Sequence, residues 1–188
     1  YSSDHGQCIV WRSNGDHENN DGSDPQNPSP GYDNTDASDE IFMLRFDDDA
    51  LSRWMITQVS NGPVGSISSN PVIGGYWFTR QCRSTSYQSD YDQLGNGSTG
   101  IHIYNYTKLS AETEQLSNAG EFGLSVNPAI TGASSFARGP FVVFESDADI
   151  LANGSSGFEI FRHRIFTFEE KQYTYQSVGE SRKPTVSD

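Results

Sequence analysis

The sequence predicts an all-β protein: a β-sandwich, jelly-roll or Ig-like, with about eight or nine short strands, long polar loops and at most one short helix. Three observations predict it. Short runs of β-branched and aromatic residues recur along the chain. Aromatics reach 12% although mean hydropathy is −0.63. Clusters of Gly, Pro, Asn and Ser separate the runs. A length of 188 residues suits one domain, 1–188, able to bury roughly 70% of its unfolded surface. No fixed-period repeat is evident by inspection.

Taken in order, residues 8–12 read as a first strand. The segment 13–40 has one aromatic, Tyr32, together with Pro25, Pro28 and Pro30, so it reads as an acidic loop or arm without regular structure. Residues 41–59 read as a hairpin, two apolar arms around Asp47, Asp48 and Asp49. The run 71–82 is the densest in β-favouring residues. Tyr76, Trp77 and Phe78 put bulk on both of its faces, as in a strand between two layers. Trp54 and Trp77 are expected in the core, with Trp11 less buried. Residues 101–106, 122–126 and 141–145 read as further strands. Residues 158–168 read as a long strand with a bend near Arg162, and Tyr173 and Tyr175 flag a last one. The helical candidate is 110–116, with Ser110 as cap and Glu112 and Glu114 in its first turn.

The net charge of −13 disfavours nucleic acid and anionic membrane surfaces as partners. No apolar run approaches the roughly 20 residues that span a bilayer. Residue 1 is Tyr rather than Met, the appearance that a cleaved leader leaves. A secreted or extracellular protein, at a cell or virion surface, is therefore expected. Cys8 and Cys82 are the two cysteines. A bridge between them would close a loop of about 75 residues, worth roughly 4 kcal/mol on the chain-entropy argument. Two unrelated thiols are the alternative.

No cofactor follows from a motif. Calcium is the weak candidate, through Asp16, Asp21, Asp24, Asp33, Asp36 and Asp39, since hard cations take carboxylate oxygens. The EF-hand spacing fails, and a solvated acidic loop explains the same residues. No zinc spacing, nucleophile elbow, P-loop or dinucleotide fingerprint occurs. A glycosidase pair needs two acids about 5–9 Å apart, and Glu145 and Glu159 are the pair to examine. Sequons place candidate glycans at Asn96, Asn105 and Asn153. A tyrosine set, Tyr87, Tyr91, Tyr104, Tyr106, Tyr173 and Tyr175, suits sugar stacking or a subunit interface, with core packing as the alternative.

Three functions are therefore weighed. The first is a non-enzymatic extracellular domain acting by contact, as a structural subunit of a surface or virion-like assembly or an adhesin. Its partners would be neighbouring copies or other subunits, and segment 13–40 would be a docking arm. The second is a carbohydrate-binding module or lectin. The third is a secreted glycan-active enzyme.

Overall fold

The computed structural model describes residues 8–15, 34, 36–47, 53–74, 84–108, 110–117, 123–131, 140–165, 169–175 and 179–186, with side chains 45–47 and 53–55 outside that description. The architecture is all-β and sandwich-like: eleven strands in three antiparallel sheets, with no helix among the described residues. Strands β1 (Cys8–Ser13), β2 (Glu40–Asp47) and β3 (Arg53–Gln58) form the first sheet, in that order. Strands β4 (Ser68–Gly74), β5 (Ser84–Ser89), β6 (His102–Thr107) and β7 (Glu112–Gln115) form the second. Strands β8 (Ser125–Ile130), β9 (Phe141–Ser146), β10 (Glu159–Arg164) and β11 (Glu169–Gln172) form the third. Each sheet is a meander of strands consecutive in sequence.

The second and third sheets are the same unit at a spacing of 57 positions, a repeat that inspection of the sequence does not show. Ser68 and Ser89 share a hydroxyl hydrogen bond of 3.1 Å, and Ser125 and Ser146 share one of 2.9 Å. Both first strands slip register at an Asn-Pro pair, between Ser69 and Val72 and between Val126 and Ala129. Asn70 and Asn127 have φ of 50° and 55° there, in the left-handed region that Asn tolerates better than most residues.

The first sheet belongs to the same series. Val59 N–H donates to Ile41 O, Leu116 N–H to Ile103 O and Tyr173 N–H to Ile160 O, at 2.7, 2.7 and 2.8 Å. Directly opposed aromatic pairs stack at matching register: Trp11–Phe42, Tyr87–Tyr104 and Phe144–Phe161, with centroids 5.8–5.9 Å apart. The connection between β1 and β2, which contains the acidic segment, and the one between β2 and β3 are both longer than their counterparts and interrupt the spacing in this first unit.

The aromatic faces of the second and third sheets each pack on the sheet before them. Tyr87, Tyr104 and Ile73 of the second sheet join Cys8, Val10, Ile41, Met43 and Val59 of the first in one core cluster. Val142, Phe144, Phe161 and Ile165 of the third join Ile103 and Leu116 of the second in another. Because strand neighbours alternate faces, one unit can offer its aromatic pair forwards and its Ile and Val or Leu backwards.

Several expectations are corrected. Residues 112–115 form a strand rather than a helix turn, because pairing with β6 overrides a marginal local preference. The register irregularities fall at the two Asn-Pro pairs, whereas β10 pairs with β9 without a slip through Arg162. The strand expected at 122–126 lies at Ser125–Ile130, and the one expected at Tyr173 and Tyr175 lies just before them, at Glu169–Gln172. The hairpin at 41–59 is present as β2 and β3. The run from Pro71 is β4 as far as Gly74; it is an edge strand of its own sheet, yet it lies between layers, touching β1 and β2 on one side and β8 on the other. Tyr76, Trp77, Phe78, Cys82 and the side chain of Trp54 lie outside the described residues, and Trp11 is half-buried.

Candidate ligand cleft

The cleft of interest forms where successive units begin. It has a volume of about 390 Å³ and is walled by Asn70, Pro71 and Val72 from β4, Asn127 and Pro128 from β8, and Lys183, Pro184 and Thr185 from the C-terminal segment. The third wall repeats the first two. Lys183 has φ of 55°, matching Asn70 and Asn127. Ser181 N–H donates to Phe158 O at 2.7 Å, as Ser68 does to Asp39 O and Ser125 to Ile101 O, each at 2.7 Å.

A polar ladder backs the cleft. Asn70 Nδ2 donates to Gln88 Oε1 at 3.0 Å and to Asn127 Oδ1 at 3.3 Å. Asn127 N–H donates to the same Gln88 oxygen at 3.0 Å, and its Nδ2 donates to Glu145 Oε1. Arg182 Nη1 lies 3.6 Å from Glu145 Oε2. Buried Glu145 thus has one donor from Asn127 of its own unit and an ion pair with Arg182 of the C-terminal segment, which together offset part of the cost of its burial. The lining itself offers amide and ammonium donors, a hydroxyl and proline rings. Among the described residues it holds no carboxylate, imidazole or thiol. Such a surface can hold a polar ligand by hydrogen bonds.

The sequence-predicted residues do not converge on this cleft. Tyr87 and Tyr104 are fully buried in the first core cluster, so the expectation that they contact a ligand is corrected. Their rings fill the gap between two sheets, and burial drives both hydroxyls above their ordinary pKa. Tyr106 is half-buried against that cluster. Tyr91, Tyr173 and Tyr175 are exposed, the first beside the second sheet and the others beside the third. Asp36 accepts from Ser38 N–H at 2.9 Å and Ser38 Oγ at 2.7 Å, bonds that hold it below the usual carboxylate range. Asp39 lies 3.7 Å from Arg12 Nε. Asp16, Asp21, Asp24 and Asp33 lie outside the described residues, among which no three metal-ligating side chains gather.

The described end of the acidic segment is held by its own domain. Asn34 Nδ2 donates to Ser38 O at 3.0 Å, and Ser38 Oγ lies 3.0 Å from Glu40 Oε1. Glu40 also accepts from Gly62 N–H at 2.6 Å and from Ser60 Oγ, while burial raises its pKa. At the matching position of the second unit, His102 ring nitrogens lie 3.2 Å from Ser117 O and 3.0 Å from Thr99 O. These buried polar groups fasten loops to strands.

Asn96 and Asn153 are exposed, as turns should be. Asn105 is fully buried and bonded to Ser86, Thr107 and Glu114, so the expectation that it carries a glycan is corrected. Cys8 is buried and no described cysteine is free; Cys82 lies outside the described residues. Residue-by-residue reading missed Asn70, Asn127, Gln88 and Lys183. The available signal was Ser-x-Asn-Pro occurring twice, at 68–71 and 125–128. No protein-family model matches the chain, and neither a curated protein nor a solved structure does.

Proposed function

We propose that this chain is a non-enzymatic extracellular domain that acts by contact, as a structural subunit of a surface assembly or an adhesin. The observation that carries the reading concerns Glu145 and Glu159. Glu145 is paired with Ile160 and Glu159 with Ser146, so the two carboxylates point to opposite faces of the third sheet. They cannot flank one glycosidic bond. For contact stands a rim of Arg162, Lys171 and exposed Tyr173, in which both cations lie within 5.5 Å of the Tyr173 ring. Aromatic and Arg groups of this kind are enriched where proteins meet. An oxidising compartment fits a Cys8–Cys82 bridge, which the unreduced mass would report. A second reading, a carbohydrate-binding module, is favoured by the amide donors and proline walls of the cleft.

The test is incubation with a panel of polysaccharides, reading reducing ends and retention separately. No release of reducing ends is expected. Release that disappears in Glu145→Gln would overturn the non-enzymatic reading. Retention that disappears in Asn127→Ala would move the assignment to the second reading.

A further inference from the structure

We propose that Asn14 is a self-modification site: its side-chain amide is lost through the Asn14-Gly15 peptide, whereas the other Asn-Gly pairs of the chain are held against the same reaction. The modification does not depend on the contact reading above.

The chemistry needs only the chain and water. The backbone nitrogen of the following residue sheds its proton and attacks Cγ of the asparagine. A C–N bond closes a cyclic imide, the Cγ–Nδ2 bond breaks, and Nδ2 leaves as ammonia with that proton. Water then opens the ring at either carbonyl, leaving aspartate or isoaspartate. One water is consumed, one ammonia is released, and nothing is oxidised or reduced. Glycine favours the attack because no side chain crowds its nitrogen. The sequence has four Asn-Gly pairs, at 14–15, 61–62, 96–97 and 153–154, and all four lie among the described residues.

In three of them the glycine N–H is spent on a side-chain carboxyl. Gly62 N–H donates to Glu40 Oε1 at 2.6 Å, Gly97 N–H to Asp92 Oδ2 at 2.6 Å and Gly154 N–H to Asp149 Oδ2 at 2.7 Å. Hydrogen bonds to a carboxylate are the strong ones, and removing the proton would set an amide anion beside the carboxylate oxygen, where like charges repel. Gly62 is in addition buried, with the Ser66 side chain where a Cβ would stand. The amides of Asn96 and Asn153 are fastened at both ends. Asn96 Oδ1 accepts from Ser98 N–H at 3.0 Å, and its Nδ2 donates to Gln115 Oε1 at 2.8 Å. Asn153 does the same with Ser155 and Gln172, at 3.1 and 2.6 Å. The leaving group is thus engaged before it can turn towards the glycine.

Asn14 has neither restraint. It is exposed, directly after β1, and no described group bonds its amide. Gly15 N–H donates to Ser13 Oγ at 3.0 Å, a neutral hydroxyl free to rotate away. The product puts a carboxylate, and as isoaspartate one more backbone methylene, at the exit from β1 into the acidic segment.

Incubating the native full chain in mildly alkaline buffer, followed by peptide mapping with mass spectrometry, tests this. Deamidation is expected first at Asn14, about tenfold or more ahead of Asn61, Asn96 and Asn153, the margin that one hydrogen bond to a charged group supplies. In denaturing urea the four rates should draw together, because the fold is what separates them. Gly15→Ala should slow Asn14 alone. Asp92→Asn should bring Asn96 up towards the Asn14 rate and leave Asn153 unchanged. Isoaspartate-specific methyl transfer to the Asn14 peptide should rise with the mass change. An Asn14 that stays intact in the folded chain while the urea-unfolded chain loses it would overturn the proposal. So would equal native rates at all four pairs, or an Asn96 rate that Asp92→Asn leaves untouched.

Discussion

Phe144 on β9 and Phe161 on β10 face each other across the ladder, rings stacked at 5.8 Å between centroids and 19° between planes. Both are fully buried, against Ile103 and Leu116 of the neighbouring sheet. The pair therefore ties two strands and two sheets at one point, and its equivalents do so elsewhere in the stack.

Removing one ring should show that dual role. Phe161→Ala leaves a cavity on the second-to-third sheet interface and should cost roughly 3–5 kcal/mol. Phe161→Leu, which keeps much of the volume, should cost less. Denaturant midpoints of the two variants check the order; equal midpoints to the parent would remove Phe161 from the core.

Glu170 gives the stability a pH dependence. It lies opposite His163 in the β10–β11 register, and burial pushes its pKa up to about 7. Burial also holds the His163 imidazole below its ordinary pKa. A carboxyl with a raised folded pKa stabilises most when protonated. Its contribution is present below the unfolded value near 4.5 and is lost as pH rises towards 7. Glu170→Gln should flatten that window and raise stability at pH 8 by about 2 kcal/mol. In acid the sign reverses. Asp149, held below the usual carboxylate range by Gly154 and Asn153 N–H, loses its contribution as pH falls. Thermal melts of the parent, Glu170→Gln and Asp149→Asn from pH 2 to 8 separate the two limbs.

Two glycines should behave as equivalents. A Cβ on Gly100 would stand 2.5 Å from Gly123 O, and one on Gly157 would stand 2.6 Å from Gly179 O. Their φ values are 101° and 82°. Alanine at either should destabilise by more than about 1 kcal/mol, through clash and an unfavourable φ together. Gly97→Ala, with open space around it, keeps only the second penalty and should be milder. Urea midpoints decide.

Glycan mapping after secretion from a eukaryotic host should find Asn105 unmodified, because its amide is spent inside the sheet. Any sugar should be confined to Asn96 and Asn153. Their amides donate to Gln115 and Gln172 at 2.8 and 2.6 Å, so occupancy requires those exposed bonds to open.

The strand-by-strand architecture was legible because the runs at β2, β6, β9 and β10 are rich in aromatic and β-branched residues and polar turns separate them. The repeat was hidden by side-chain chemistry. STSYQS, FVVFES and CIVWRS hold one position in three sheets but share a single aromatic register. Asn96-Gly97-Ser98 and Asn153-Gly154-Ser155 were visible as turns. Each closes on an aspartate in the same way, Gly97 on Asp92 and Gly154 on Asp149, and that equivalence appears only once both loops are seen. The cleft was less legible still. It is made of prolines and asparagines, which sequence reading assigns to turns.

Similar units side by side carry a hazard during synthesis and refolding, since a strand can find the wrong sibling. The buried polar contacts of the second sheet guard against that. Ser86 Oγ donates to Asn105 Oδ1 at 3.0 Å, directly across β5 and β6. The same cross-strand position in the third sheet pairs Val143 with Arg162. Were β9 to align on β6, Val143 would face Asn105 and strand a buried amide; were β5 to align on β10, Arg162 would lose the apolar and aromatic company of its own sheet. Correct sorting of near-identical hairpins thus depends on a serine and an asparagine that contribute nothing to the apolar core.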